Sequence, residues 1–132
     1  MSSIPESYRD VLTEKETYAT LATLWPNGVP HLSSVWVDYD PDEDRVLVNT
    51  ERERQKEVNV SQDPRVGLLA ADPEDPYNWV SVSGEVDEVT EEGARDHIDV
   101  LAKRYMGVDD YPNPIQTKRV ILKIRPDRVL TM

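Results

Sequence analysis

Two hydrophobic periods alternate along the chain, and together they divide it into short strands, tight turns and a few helices. "TYATLATLWPNG" (17–28) reads as a strand rich in Thr and Leu that closes on a Pro-Asn-Gly turn. "VPHLSSVWVDYD" (29–40) is a second strand leading into "PDED", and "RVLVNT" (45–50) is a third, so the second and third predict a hairpin. "RVGLLAA" (65–71) is a fourth, followed by a proline-broken loop, "DPEDPYN". "WVSVSGEVDEV" (79–89) has period two, with Val80, Val82 and Val86 on one face and Trp79, Ser81 and Ser83 on the other. "RVILKIRPDRVLTM" (119–132) supplies one or two closing strands, with Pro126 at a bend or edge.

The helical period is heard three times. Residues 3–13 suggest a short opening helix, with Ser3 as its cap, Pro5 in the first turn, and Tyr8 and Leu12 four apart. Thr50 and Glu53 have capping-box spacing, which predicts a helix starting at Thr50 and ending before Asp63-Pro64. Thr90 reads as the N-cap of a third helix, with Glu91 and Glu92 favourable to its dipole. Ala94, Ile98, Leu101, Ala102 and Tyr105 form its apolar face, Gly107 is its stop, and residues 108–117 are a proline-bearing loop. Turn-joined strands with inserted helices predict a mainly β (α+β) single domain over 1–132, an antiparallel barrel of six to seven strands with two or three short helices.

Composition narrows the chemistry. Cysteine is absent, so a disulfide framework and thiol chemistry are excluded. Neither a long apolar run nor a charged-then-apolar leader is visible, which predicts a soluble, cytoplasmic protein with no membrane partner. A formal charge of −11 argues against general attraction to nucleic acid. Its even spread, with low apolar content, predicts a surface adapted to molar salt, as in halophilic proteins.

Against that acidity, "NTERERQK" (49–56) gathers Arg52, Arg54 and Lys56 at a strand–helix junction. One reading is a solvated face neutralised by Glu51, Glu53 and Glu57. The other is an anion site, in which a helix N-terminus, the Thr50 hydroxyl and the Arg54 and Lys56 charges meet a phosphate. No catalytic constellation accompanies it. His31 reads as structural, His97 as a surface residue of the third helix, and acidic pairs such as Glu91-Glu92 as solvated charge. No metal site is expected. Ser81 and Ser83 lack an evident base.

In combination, "TLATLWPNGVPHLSSVWVDYD", "RVLVNTERERQKEVNVSQDPRVGLL", "NWVSVSGEV" and "RVILKIRPDRV" resemble the pyridoxamine-phosphate-oxidase-like split-barrel flavoproteins. The similarity is greatest to the F420-dependent (deazaflavin) reductase branch. It covers residues 17–89 and 119–129 in family order, and the run from the capped helix through Asp-Pro-Arg-Val is its most specific part. The resemblance implies a split-barrel homodimer with coenzyme F420 or FMN in grooves between subunits. Arg54 and Lys56 would hold the cofactor phosphate, helped by Thr50 and Gln55. Ser34, Val35 and Trp36 would run along the ring, Asn49 would sit beside it, Trp79 would approach from the partner subunit, and Tyr77 would border a small-molecule substrate. Position 55 is Gln where the FMN oxidase branch has a second basic residue, and Arg54 could replace that charge. The function implied is hydride transfer between reduced F420 and a small conjugated or carbonyl substrate. The alternatives are an FMN enzyme (flavin reductase or pyridoxamine-phosphate oxidase) and a non-catalytic carrier of either cofactor. A haem role would need a histidine near the chain end, and none follows His97.

Overall fold

The computed structural model describes residues 3–132. Seven strands form one antiparallel sheet: β1 (Tyr18–Leu24), β2 (Pro30–Trp36), β3 (Asp38–Asp40), β4 (Arg45–Glu51), β5 (Arg65–Asp72), β6 (Asp75–Thr90) and β7 (Arg119–Thr131). Their spatial order is β2-β1-β5-β6-β7-β4-β3, so the two edge strands are consecutive in the chain and curl the sheet into a split barrel. Three helices join them: α1 (Arg9–Thr13), preceded by a 3-10 turn at Glu6–Tyr8, α2 (Gln55–Gln62) and α3 (Ala94–Met106). The barrel core is mostly Val, Leu and Ile from inward positions, including Leu21, Val46, Val48, Val80, Val82 and Leu122, all essentially inaccessible. The predicted inward face of β6 is therefore the observed one. No helix among the described residues is long and apolar enough to cross a membrane.

Several local expectations are revised. The predicted hairpin between the second and third strands forms only at its tip. β2 pairs with β1 along its whole length, whereas Asp38–Asp40 pairs with β4. The switch occurs at Val37, whose backbone leaves the ladder and is met by α3. Val37 N–H donates to the Tyr105 hydroxyl at 3.1 Å, and Arg104 Nη1 donates to the Val37 carbonyl at 2.7 Å. The loop "DPEDPYN" is instead a tight hairpin, with β5 and β6 separated only by Pro73 and Glu74. Lys15 donates to Asp72 at its base at 2.7 Å, and Asn78 does so at 3.1 Å.

The helix starts also move. Thr50 and Glu51 stay in the ladder opposite Val120 and Arg119, and Glu53 takes a left-handed φ of 76°, so α2 begins only at Gln55. Its first turn is tied back by Glu57, whose carboxylate accepts the Glu53 N–H at 3.0 Å. Thr90 ends β6 and accepts the Glu92 N–H at 3.1 Å, while α3 starts after Gly93 at φ 75°. Ser3 caps no helix; its N–H and hydroxyl bind Asp44. Gly107, left-handed at φ 71°, ends α3 as expected.

Candidate functional site

β2, β4 and the start of β7 converge with the N-terminus of α2 and one side of α3 around an open pocket of about 260 Å³. Ser34, Val35 and Trp36 enter it from β2, Asn49 and Thr50 from β4, and Arg54 and Lys56 from the start of α2. Seven of the residues singled out in the sequence thus line one cavity. Gln55 does not; its side chain turns along α2 to Asn59, donating at 2.8 Å. Tyr77 and Trp79 lie on β6, outside this pocket, and Tyr77 is exposed.

Four lining residues were not singled out as site residues: Ile98, Tyr111, Asn113 and Arg119. Arg119 matters most, because it brings a third cation beside Arg54 and Lys56. It opens β7 directly opposite Glu51, the last residue of β4. That cross-strand pair of opposite charges was the sequence signal available, but it is visible only once β4 and β7 are known to be neighbours.

The charges are unevenly balanced. Glu51, only 3% exposed, lies 3.6 Å from Arg54 and 3.7 Å from Arg119. It also accepts the backbone N–H groups of Gln116 and Thr117, at 2.9 and 2.8 Å. The Thr117 N–H foremost, with the Thr117 hydroxyl and Gln116 N–H, holds the Glu51 carboxyl below its usual pKa, and Arg119 assists. Lys56 pairs with no carboxylate among the described residues. Burial, then the charges of Arg54 and Arg119, push its ammonium below its usual pKa. Burial likewise lowers Arg119. Three crowded cations with one committed carboxylate make a pocket whose energy falls when an anion enters it.

An aromatic wall stands beside the cations. Trp36 stacks on Tyr105 with ring centres 4.8 Å apart and planes within 6°, and Tyr111 meets Trp36 edge-on at 6.2 Å. Arg119 lies 5.2 Å over the Tyr111 ring. Behind Asn49 the expectation for His97 fails. It is no surface residue: its side chain is 12% exposed and lies between Asn49 and Asp38, at 3.1 and 3.0 Å. His97 is three residues from Ala94 and four from Leu101, so it borders the apolar stripe of α3 and is carried under the helix with it. Burial tends to raise the Asp38 carboxyl, but hydrogen bonds from His97 and Arg104 more than offset this and hold it below its usual pKa.

Comparison with known proteins adds a lineage to this geometry. The sequence pattern that defines the family described as pyridoxamine 5'-phosphate oxidase matches residues 4–132. Among solved structures, the chain is similar to an F420 reductase, with 29% identity and a TM-score of 0.81 over 96% of this chain and 98% of that one. It is similar to a conserved hypothetical protein of Mycobacterium tuberculosis, at 26% identity and TM-score 0.75, over 98% and 85% of the two chains. General stress protein 26 of Bacillus anthracis, at 20% identity and TM-score 0.70 over 96% and 92%, shares the fold. None of the curated proteins compared with the chain matches it.

Proposed function

The chain belongs to the pyridoxamine 5'-phosphate oxidase family, and from that premise we propose that it is an oxidoreductase that binds coenzyme F420, with FMN as the alternative cofactor. The observation that carries the reading is the crowding of Arg54, Lys56 and Arg119 in one pocket, where Lys56 has no carboxylate partner. These residues suit a phosphorylated tricycle. The cations, the Thr50 hydroxyl and the N–H groups of the first turn of α2, including that of Gln55, would hold the phosphate. Ser34, Val35 and Trp36 would border the ring, with Asn49 beside it. When bound in its reduced form, the cofactor would supply the hydride and solvent the proton that completes the reduction, which asks little acid–base machinery of the chain. Its part is to bind, orient and exclude water. Likeness to an F420 reductase over nearly its whole length favours the deazaflavin.

The working form in this reading is a homodimer. The outward face of the sheet carries Ser34, Thr20, Leu69, Ser81 and Leu130 in one uncharged row, with Leu69 and Leu130 exposed. A charge-free, partly apolar row across the face of so acidic a chain, with Arg128 opposite Ser83 in the next row, fits burial against a second copy. Ser34 and Trp36 lie on the edge strand of that face, so the pocket would sit in the groove between subunits. Trp79, on the same face, would reach it from the partner, and Tyr77 would border the small-molecule substrate. A cytoplasmic location and a requirement for salt belong to the same proposal.

The test is a titration in high KCl with F420 and, separately, FMN, followed by tryptophan fluorescence. Tight binding of F420 is expected, and its loss in the Arg54→Ala/Lys56→Ala double variant. Unchanged affinity in that variant would overturn the site. Turnover with conjugated or carbonyl acceptors then separates an enzyme from a cofactor carrier, which would bind without accelerating reduction.

A further inference from the structure

Asn49 ties the pocket to a part-buried polar chain. Its Oδ1 accepts from Arg119 Nε at 2.8 Å, and its Nδ2 donates to the Ala94 carbonyl at 2.9 Å and meets His97 Nδ1 at 3.1 Å. A guanidinium only donates and a carbonyl only accepts, so these two partners set the amide orientation. His97 Nδ1 must then accept, and the single ring proton belongs on Nε2, which faces the Asp38 carboxylate at 3.0 Å. Arg104 Nη2 donates to the other Asp38 oxygen at 2.8 Å and closes the chain.

We propose that His97 is a positioning residue of the cofactor pocket: as a neutral imidazole it accepts from the Asn49 amide and so reinforces the orientation that keeps Arg119 in place, and its protonation opposes that orientation and releases Arg119. The proposal rests on the pocket taking a phosphorylated cofactor. A protonated imidazole donates from both nitrogens, so its Nδ1–H would point at the Asn49 NH2 group. Turning the amide over relieves that clash but sets Asn49 Nδ2 against Arg119 Nε–H and Oδ1 against the Ala94 carbonyl. Arg119 would keep only its 3.7 Å contact with Glu51 and the Tyr111 ring.

The charged groups around His97 oppose one another. Asp38 on β3 favours the imidazolium. Arg104, acting through Asp38, and Arg119, acting through Asn49, disfavour it. Lys123 on β7 is engaged by Glu43 and Glu88, at 3.1 and 3.8 Å.

The chain has only two histidines, His31 and His97, so a long-range proton–nitrogen NMR spectrum of the untagged protein resolves both rings. The Nε2–H tautomer of His97 is expected at pH 8, and an Nδ1–H tautomer would overturn the relay. Affinity for F420 and FMN is then followed from pH 8 to 5.5 in constant KCl. His97→Ala should bind roughly 3- to 10-fold more weakly at pH 8, the scale of one hydrogen bond. His97→Gln keeps one donor and one acceptor but takes up no proton, and should restore most of that loss. On acidification the unaltered protein should lose a further 3- to 10-fold, roughly, relative to His97→Gln. Ionisation of the cofactor phosphate affects both alike. Parallel pH profiles, or unaltered affinity in His97→Ala, overturn the proposal. A chain that binds neither cofactor at any pH overturns the cofactor reading and the pocket half of this one, whereas the wrong tautomer overturns the relay alone.

Discussion

Glu51 is the residue on which the pocket turns. It ends β4 almost fully buried, and its carboxylate gathers two backbone N–H groups of the 116–117 loop and two of the three cations. Because its pKa is below the ordinary value of 4.5, it stabilises the fold fully above that pH, and the contribution is lost as pH falls towards its folded-state pKa. Glu51→Gln should therefore cost about 1–3 kcal/mol near pH 7, and the difference from the unaltered protein should shrink below about pH 4.5. Urea melts across that range would show it; a difference independent of pH would refute the assignment of the charge. At this scale legibility was uneven. Arg54 and Lys56 were noticeable because they cluster in an acidic chain. Arg119 was not, since its partner Asn49 is 70 residues away. His97 was misread because neighbouring charges suggested water, whereas its helical position borders the buried stripe.

Among the elements, β6 and β7 show how a strand is bent to fit. Pro126 has no N–H to give the ladder, and it lies opposite Gly84, where the register shifts. β4 follows β7 only as far as Ile124, so Pro126 has an unpaired edge on its other side, in keeping with the bend or edge position expected from sequence. The bend brings the two backbones so close that a Cβ on Gly84 would lie 1.8 Å from the Arg125 carbonyl oxygen. Backbone cannot swing aside as a flexible side chain can. Gly84→Ala should cost about 3 kcal/mol or more, measured by chemical denaturation, and a loss below 1 kcal/mol, roughly, would mean the strands part more easily than their pairing implies. α2 was found in the sequence but placed too early. Thr-x-x-Glu spacing is a local signal, and the ladder with β7 claimed Thr50 and Glu51 before a helix could.

The whole molecule carries 26 acidic against 15 basic residues. Self-repulsion of that excess opposes the compact state at low ionic strength, and in 1 M salt the screening length is only about 3 Å. Individual surface ion pairs, such as Arg125 with Glu85 and Asp127, return little each. The melting temperature should accordingly rise between low salt and molar KCl by roughly 5 °C, equivalent to about 1 kcal/mol for a domain of this size. An unchanged or lower value would count against adaptation to salt. The same repulsion makes the uncharged row across the sheet and the cationic pocket stand apart from the rest of the acidic surface.

What the sequence determined alone was local and periodic. Alternation of Val80, Val82 and Val86 dictated an inward face, Pro-Asn-Gly a turn, Gly107 a helix end, and the basic cluster a candidate anion site. These depend on backbone conformation and on neighbours a few residues apart. Tertiary structure decided which strands touch. Pairing β4 with β7 brought Arg119 to Asn49 and Glu51, and passing β2 into β3 at Val37 let α3 supply Tyr105 and Arg104 to the broken ladder. Such contacts are chosen by burial and hydrogen-bond satisfaction over the entire sheet, and no short window of sequence contains both partners.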